Sequence, residues 1–182
     1  MSKTIYLLIG APGSGKTSSM TAVNNDRISH FSIGEMYREI SKEENEIAQT
    51  VKNYIDVGKV VPIEIAQKVV EKFIETGKDT IVIDAFPRDM EQVMMLENLL
   101  NADIILKQVI EITINPEIAI ERIKSRNRGT DDDINLFNDR MRVYNAEINE
   151  IREYYSSKGI YTTINGENSL EDTALSLASI IQ

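Results

Sequence analysis

Ile5-Tyr-Leu-Leu-Ile9 runs without a break into Gly10-Ala-Pro-Gly-Ser-Gly-Lys16-Thr17, and this stretch decides the fold. Five consecutive apolar residues read as a strand buried on both faces. The glycine-rich segment after them, closed by a lysine and a hydroxyl and followed by helix-compatible sequence, satisfies the phosphate-loop pattern. Its glycines let successive backbone amides turn toward one point, and the helix that follows adds its positive N-terminal end. Lys16 brings a full charge to the terminal phosphates, and Thr17 is placed to hold magnesium. A bare turn between strand and helix has no use for that lysine.

Working outward, similar apolar runs recur at residues 80–84, 108–114 and 160–164, with a weaker one at 27–32. Amphipathic stretches separate them, the pattern of a parallel sheet covered by helices on both faces. Ala66, Val69, Val70 and Phe73 fall at i, i+3, i+4 and i+7 ahead of Gly77, which predicts a helix with a glycine cap. Ala174, Leu177, Ala178 and Ile181 repeat the spacing behind Ser169, with Asp172 three residues on. A longer helix is predicted over 135–155, with Phe137, Met141, Tyr144, Ile148, Ile151 and Tyr155 forming a core-facing stripe. Residues 42–58 read as helical, polar and weakly patterned, a candidate for a small protruding subdomain. The expectation is an α/β protein of the P-loop NTPase fold, built on a five-stranded parallel sheet.

A chain of 182 residues holds one domain with room for a small insertion. Its 42% apolar and 27% charged residues exclude a mostly disordered chain. With 29 acidic against 20 basic side chains the formal charge is −9, which argues against nucleic acid or an anionic membrane as the main partner. No cysteine and a single histidine leave no thiolate site and no zinc cluster, so a metal is expected to be Mg2+ with oxygen ligands. The run at 5–9 is too short for a signal-peptide core or a membrane span, and a cytoplasmic location is the default expectation.

Asp84 ends the run Ile81-Val82-Ile83, where a carboxylate beside a phosphate loop binds magnesium through water. His30 reads as structural, and Met94 and Met95 as core filler on a helix. The run Asp131 to Asp133 reads either as a solvated turn or as partners for arginine.

Phosphate loops serve motors, switches and kinases alike, and the arginines set this one apart. The chain resembles the nucleoside monophosphate kinases, most closely the short-lid adenylate kinases. The resemblance rests on Pro12 within the loop, His30-Phe-Ser-Ile-Gly34-Glu-Met-Tyr-Arg38, Gly58-Lys-Val-Val-Pro62, Asp84-Ala-Phe-Pro-Arg88 with Gln92, and an arginine-rich segment. That segment carries Arg122, Arg126 and Arg128, then Asp131, Asp132, Arg140 and Tyr144, and a late Asn165-Gly166 turn follows. In this order the matches span nearly the whole chain.

The resemblance implies a monophosphate-binding subdomain at about residues 32–62 and a short lid at about 126–133. ATP would bind through Gly13, Ser14, Gly15, Lys16, Thr17 and Ser18, with Arg122 stacked on the donor adenine. Arg38 and Arg88 would grip the acceptor phosphate, with Ile33, Val60 and Gln92 around the acceptor nucleoside. Lys16, Arg88, Arg126, Arg128 and Arg140 would act on the transferring group, and Thr17 and Asp84 would hold magnesium. The chain departs from the family in four places. Thr17-Ser18 stands where many members have Gly-Thr, Ile33 replaces a threonine, Ala85 replaces a glycine, and the lid is shorter. The implied function is transfer of a phosphoryl group from ATP to a nucleoside monophosphate, AMP favoured through Gln92, by a monomer. A UMP/CMP kinase and a non-catalytic nucleotide-binding regulator are the alternatives.

Overall fold

The computed structural model describes residues 2–23, 25–125 and 133–181. The strands are β1 (Lys3–Ile9), β2 (Ile28–Ser32), β3 (Thr80–Asp84), β4 (Ile104–Thr113) and β5 (Tyr161–Asn165). They form one sheet in the order β2-β3-β1-β4-β5, and every neighbouring pair is parallel. Among the described residues the helices are α1 (Lys16–Val23), α2 (Ile33–Ile40), α3 (Glu46–Ile55), α4 (Ile63–Thr76), α5 (Met90–Leu99), α6 (Pro116–Ser125), α7 (Ile134–Ser157) and α8 (Leu170–Ile180).

Successive side chains of β1 feed two different cores. Ile5, Leu7 and Ile9 join Ile81, Ile83, Val109 and the apolar faces of α4, α5 and α7. Tyr6 and Leu8 point the other way, to Val82, Ile110, Met20 of α1 and Leu177 of α8. A strand with no exposed face has no reason to alternate polar and apolar residues, which is why 5–9 reads as a continuous apolar run. Each fully buried side chain of this size contributes about 1.5–3 kcal/mol.

The predicted elements are present, with shifted edges. β4 begins at Ile104 rather than 108, because its first half lies at the exposed end of the sheet, where Ile105 is 48% exposed and Lys107 is also exposed. Residues 42–58 are not one helix: Asn45 accepts a hydrogen bond from the Ala48 amide and starts α3 after a turn. Gly77 does cap α4, but with φ of −71°. Its role is space, since a Cβ there would lie 2.7 Å from Ile81 Cδ1 and 2.7 Å from the Phe73 carbonyl oxygen. The stripe of α7 faces the core, and Asp133 caps the helix by accepting from the Asn135 and Leu136 amides at 2.7 and 3.1 Å. Ser169 and Asp172 form the expected cap of α8. Met95 is buried, whereas Met94 is 42% exposed and fills no core.

Candidate active site

The carboxyl ends of the strands come together on one side of the sheet, where open parallel sheets place their ligands. Register aligns Ser32 with Asp84, Leu8 with Asp84, and Ile9 with Glu111, so the segments that follow β1, β2 and β3 meet there. Between them opens a cleft of about 400 Å³.

Its centre is the phosphate loop. Lys16 is the first residue of α1, so the Lys16, Thr17 and Ser18 amides belong to the free N-terminal turn. The Lys16 ammonium folds back over the loop, donating to the Gly10 and Ala11 carbonyls at 2.7 and 3.0 Å and to Ser14 Oγ at 3.2 Å. Ser14 is buried inside the loop. Gly13 has φ of +81° and packs so closely on α6 that a Cβ would sit 2.8 Å from the Ala119 carbonyl oxygen. No other residue satisfies both the backbone angle and the space.

The Thr17 hydroxyl donates to Asp84 Oδ2 at 2.5 Å, which unites the two residues expected to serve magnesium. Asp84 is fully buried, and its Oδ1 has no hydrogen-bond partner among the described residues. Burial works against ionisation, but the His30 ring, Lys16 and Thr17 outweigh it and hold the carboxyl below its ordinary pKa. His30 Nε2 lies 3.6 Å from Asp84 Oδ2.

On the β2 and β3 side, Arg38 of α2 and Arg88 before α5 converge. A Cβ placed on Gly34 would lie 3.6 Å from a terminal nitrogen of each guanidinium. Arg88 is fixed by donating from Nε to the Ala85 carbonyl at 3.1 Å. Burial first, then the charges of Arg140 and Arg38, lower the Arg88 pKa, while Tyr37 and Asp84 oppose them. Three cations gathered at the mouth of a phosphate loop make an anion site. Arg140, from α7, lines the same cleft with its stem against Gly58. Val60 also lines it.

On the opposite side, Arg122 of α6 reaches the loop, with Nη1 3.6 Å from the position of a Cβ on Gly15. That places its charge beside the phosphate loop. Arg126, Arg128, Asp131 and Asp132 lie outside the described residues.

Three expected residues are not among those lining the cleft: Ser14, buried inside the loop, Ile33 and Gln92. Ile33 is buried in the larger core. Gln92 is 2% exposed, and its Oε1 accepts from the Arg88 amide at 3.0 Å, so part of its acceptor capacity is already used.

The structure also brings in residues that sequence reasoning left out. Tyr37 lines the cleft beside Arg38. Glu111, at the end of β4, is fully buried and accepts from Arg152 Nε and Nη2, Tyr144 Oη and Tyr161 Oη. The faint signal was Glu111 inside an otherwise apolar run, since a lone acid in a buried strand requires partners.

Among the described residues, no helix is long and apolar enough to cross a membrane. The adenylate kinase family model matches residues 8–160. An adenylate kinase of Nautilia profundicola is 39% identical, the match covering 99% of this chain and 97% of that one. One of Helicobacter pylori is 39% identical over 93% of this chain and 92% of its own length. Another, from Campylobacter lari, is 36% identical with 98% and 97% covered. With the phosphate loop and the arginines in one cleft, and the similarity running through both, this chain belongs to the adenylate kinase family of nucleoside monophosphate kinases.

Proposed function

We propose that the chain catalyses ATP + AMP = 2 ADP, with the donor phosphates on the loop and the acceptor phosphate between Arg38 and Arg88. The observation that carries this reading is the convergence of Arg38, Arg88 and Arg140 on the side of the loop away from Arg122. A protein that only senses ATP has no need of a second anion site.

Phosphoryl transfer of this kind is catalysed by positioning and charge. The amides of residues 13–18 and the Lys16 ammonium hold the donor. Arg38 and Arg88 aim the acceptor oxygen in line, and Arg140 faces the group in transit. Arg126 and Arg128, in the proposed lid at about 126–133, would complete the charge and exclude water. Residues 32–62 would move as the monophosphate-binding subdomain.

The donor set fits magnesium: two oxygens from Thr17 and Asp84, an ionised carboxylate, and a buried Oδ1 with no partner among the described residues. Bound there with the nucleotide phosphates, the ion would neutralise charge that develops during transfer. Thr17 and Asp84 would hold it, Asp84 through water. A cytoplasmic monomer belongs to the same reading.

AMP is preferred on the spacing of Gln92 after Arg88, with its Nε2 as the group left to read a ring nitrogen. A preference for UMP or CMP is the second reading. It draws on the burial of Ile33 and on the engaged Oε1 of Gln92. A coupled assay over AMP, CMP, UMP and GMP decides. The expected result is the highest kcat/KM for AMP, with the AMP-to-CMP ratio falling in Gln92→Ala. Preference for CMP, or a ratio that ignores the substitution, hands the site to the pyrimidine reading.

A further inference from the structure

Tyr37 is 2% exposed, yet it belongs to the wall of the cleft, and its hydroxyl finds no hydrogen-bond partner among the described residues. That combination is costly. A buried hydroxyl without a partner forfeits its hydration and gains nothing in exchange. Phenylalanine would fill the same apolar space at the same volume without that cost, so packing alone does not account for the oxygen.

Its place in the fold indicates what the oxygen is for. Tyr37 lies on α2 three residues after Gly34, so both are on one helix face, and Gly34 is where the Arg38 and Arg88 guanidinium groups converge. The hydroxyl is close enough to Arg88 and Asp89 to feel both charges. It is therefore on the β2 and β3 side of the cleft, across the phosphate loop from Arg122. Burial raises its pKa to about 12, with Arg88 pulling the other way, so at neutral pH it carries its proton and acts as a neutral donor. Arg38 and Arg88 supply charge and attract any phosphate, whereas a hydroxyl in a fixed rotamer requires an acceptor atom at one position.

We propose that Tyr37 is a recognition residue of the acceptor site, whose hydroxyl is unpartnered until a nucleoside monophosphate binds and then donates a hydrogen bond to that nucleotide. This rests on the acceptor-site reading given under Proposed function. It adds to that reading a neutral contact beside the charged arginine clamp.

The test is Tyr37→Phe, measured beside wild type in three ways. First, KM is determined for AMP, CMP and ATP. Second, AMP binding is followed by calorimetry without turnover. Third, the melting temperature is taken without nucleotide. The expected result is a rise of about 3- to 10-fold in KM and Kd for AMP, the usual worth of one neutral hydrogen bond, with KM for ATP unmoved. The melting temperature of the free protein should hold or rise, because the substitution removes an unpartnered polar atom. An equal loss for AMP and CMP would put the bond on phosphate or ribose, and a larger loss for AMP would put it on the base; both sustain the proposal. Unchanged AMP affinity overturns it. So does a matching rise in KM for ATP, or a lower melting temperature, which would reveal a partner in the free protein. Turnover of AMP by wild type upholds the parent reading whatever the variant does. Without turnover that reading falls, and the calorimetry still decides Tyr37.

Discussion

Arg152 of α7 grips the buried Glu111 carboxylate with two nitrogens, Nε at 2.8 Å and Nη2 at 2.7 Å. Tyr144 donates to the same carboxylate at 2.5 Å and Tyr161 also donates to it, so α7 and β5 are tied to the end of β4. Tyr144 and Arg140 are one helical turn apart, and both line the cleft. The cluster therefore fixes the rotation of the helix that carries a proposed catalytic arginine.

Arg152→Met should lower stability by about 2–3 kcal/mol in urea unfolding. Removing one partner of a buried pair costs about 3–5 kcal/mol, and Arg152 is 38% exposed, which brings the figure down. A loss below about 0.5 kcal/mol would class the pair with surface ion pairs.

Burial alone would raise the Glu111 pKa, but Arg152, Tyr144 and Tyr161 together hold it below the ordinary 4.5. A depressed carboxyl stabilises the fold fully above the unfolded-state pKa and loses that contribution as pH falls through the folded value. The stability gap between wild type and Glu111→Gln should therefore be constant above about pH 5.5 and narrow below pH 4.5. A gap independent of pH would assign the loss to packing instead.

Ala85 adopts φ of +63°, a left-handed conformation that costs a residue with a Cβ about 1–2 kcal/mol. Part of the gain from glycine is returned through its freer unfolded chain. Ala85→Gly should still raise stability by about 0.5–1 kcal/mol, read as a higher melting temperature. A lower one would mean that the methyl group, which packs against the larger core, outweighs the strain.

Lys16→Met should reduce kcat/KM by about 10³-fold or more, the scale of charge-stabilising groups in phosphoryl transfer. The ammonium also ties down the Gly10 and Ala11 carbonyls, so a fall of a few degrees in melting temperature is expected too. The diagnostic is ATP-induced stabilisation, present in wild type and much weaker in the variant. Comparable activity in the two would remove the loop from the mechanism.

Arg88→Lys keeps the charge but not the planar fork, and it loses the Nε contact to Ala85 that aims the group. KM for the monophosphate should rise about 10-fold or more with little change for ATP, in initial-rate kinetics with each substrate varied. Equal effects on both substrates would mean that Arg88 serves the donor as well.

Local pattern was enough to read the sheet and the loop. Apolar runs made β1 and β3 visible because both faces of these strands are covered, and the loop motif carries its own geometry in its glycines and in Lys16. The start of β4 was hidden because its first residues lie at the exposed end of the sheet and mix apolar with charged side chains. The arginines were legible as a set, through their order along the chain.

What the sequence could not decide is which side chains meet. Glu111, Tyr144, Arg152 and Tyr161 come from three elements, and only the packing of α7 and β5 onto β4 turns four scattered polar residues into one satisfied cluster. Spacing singled out Gln92 after Arg88, while only the fold shows that its Oε1 accepts from the Arg88 amide. In the sequence Tyr37 is only one member of the segment 30–38, while the fold sets it in the cleft wall with a buried hydroxyl that has no hydrogen-bond partner among the described residues. Sequence fixes what each residue is able to do within a turn or two of itself, because periodicity and backbone angles are local. Contacts between distant segments, and the hydrogen bonds they complete or leave open, exist only once the chain has closed on itself.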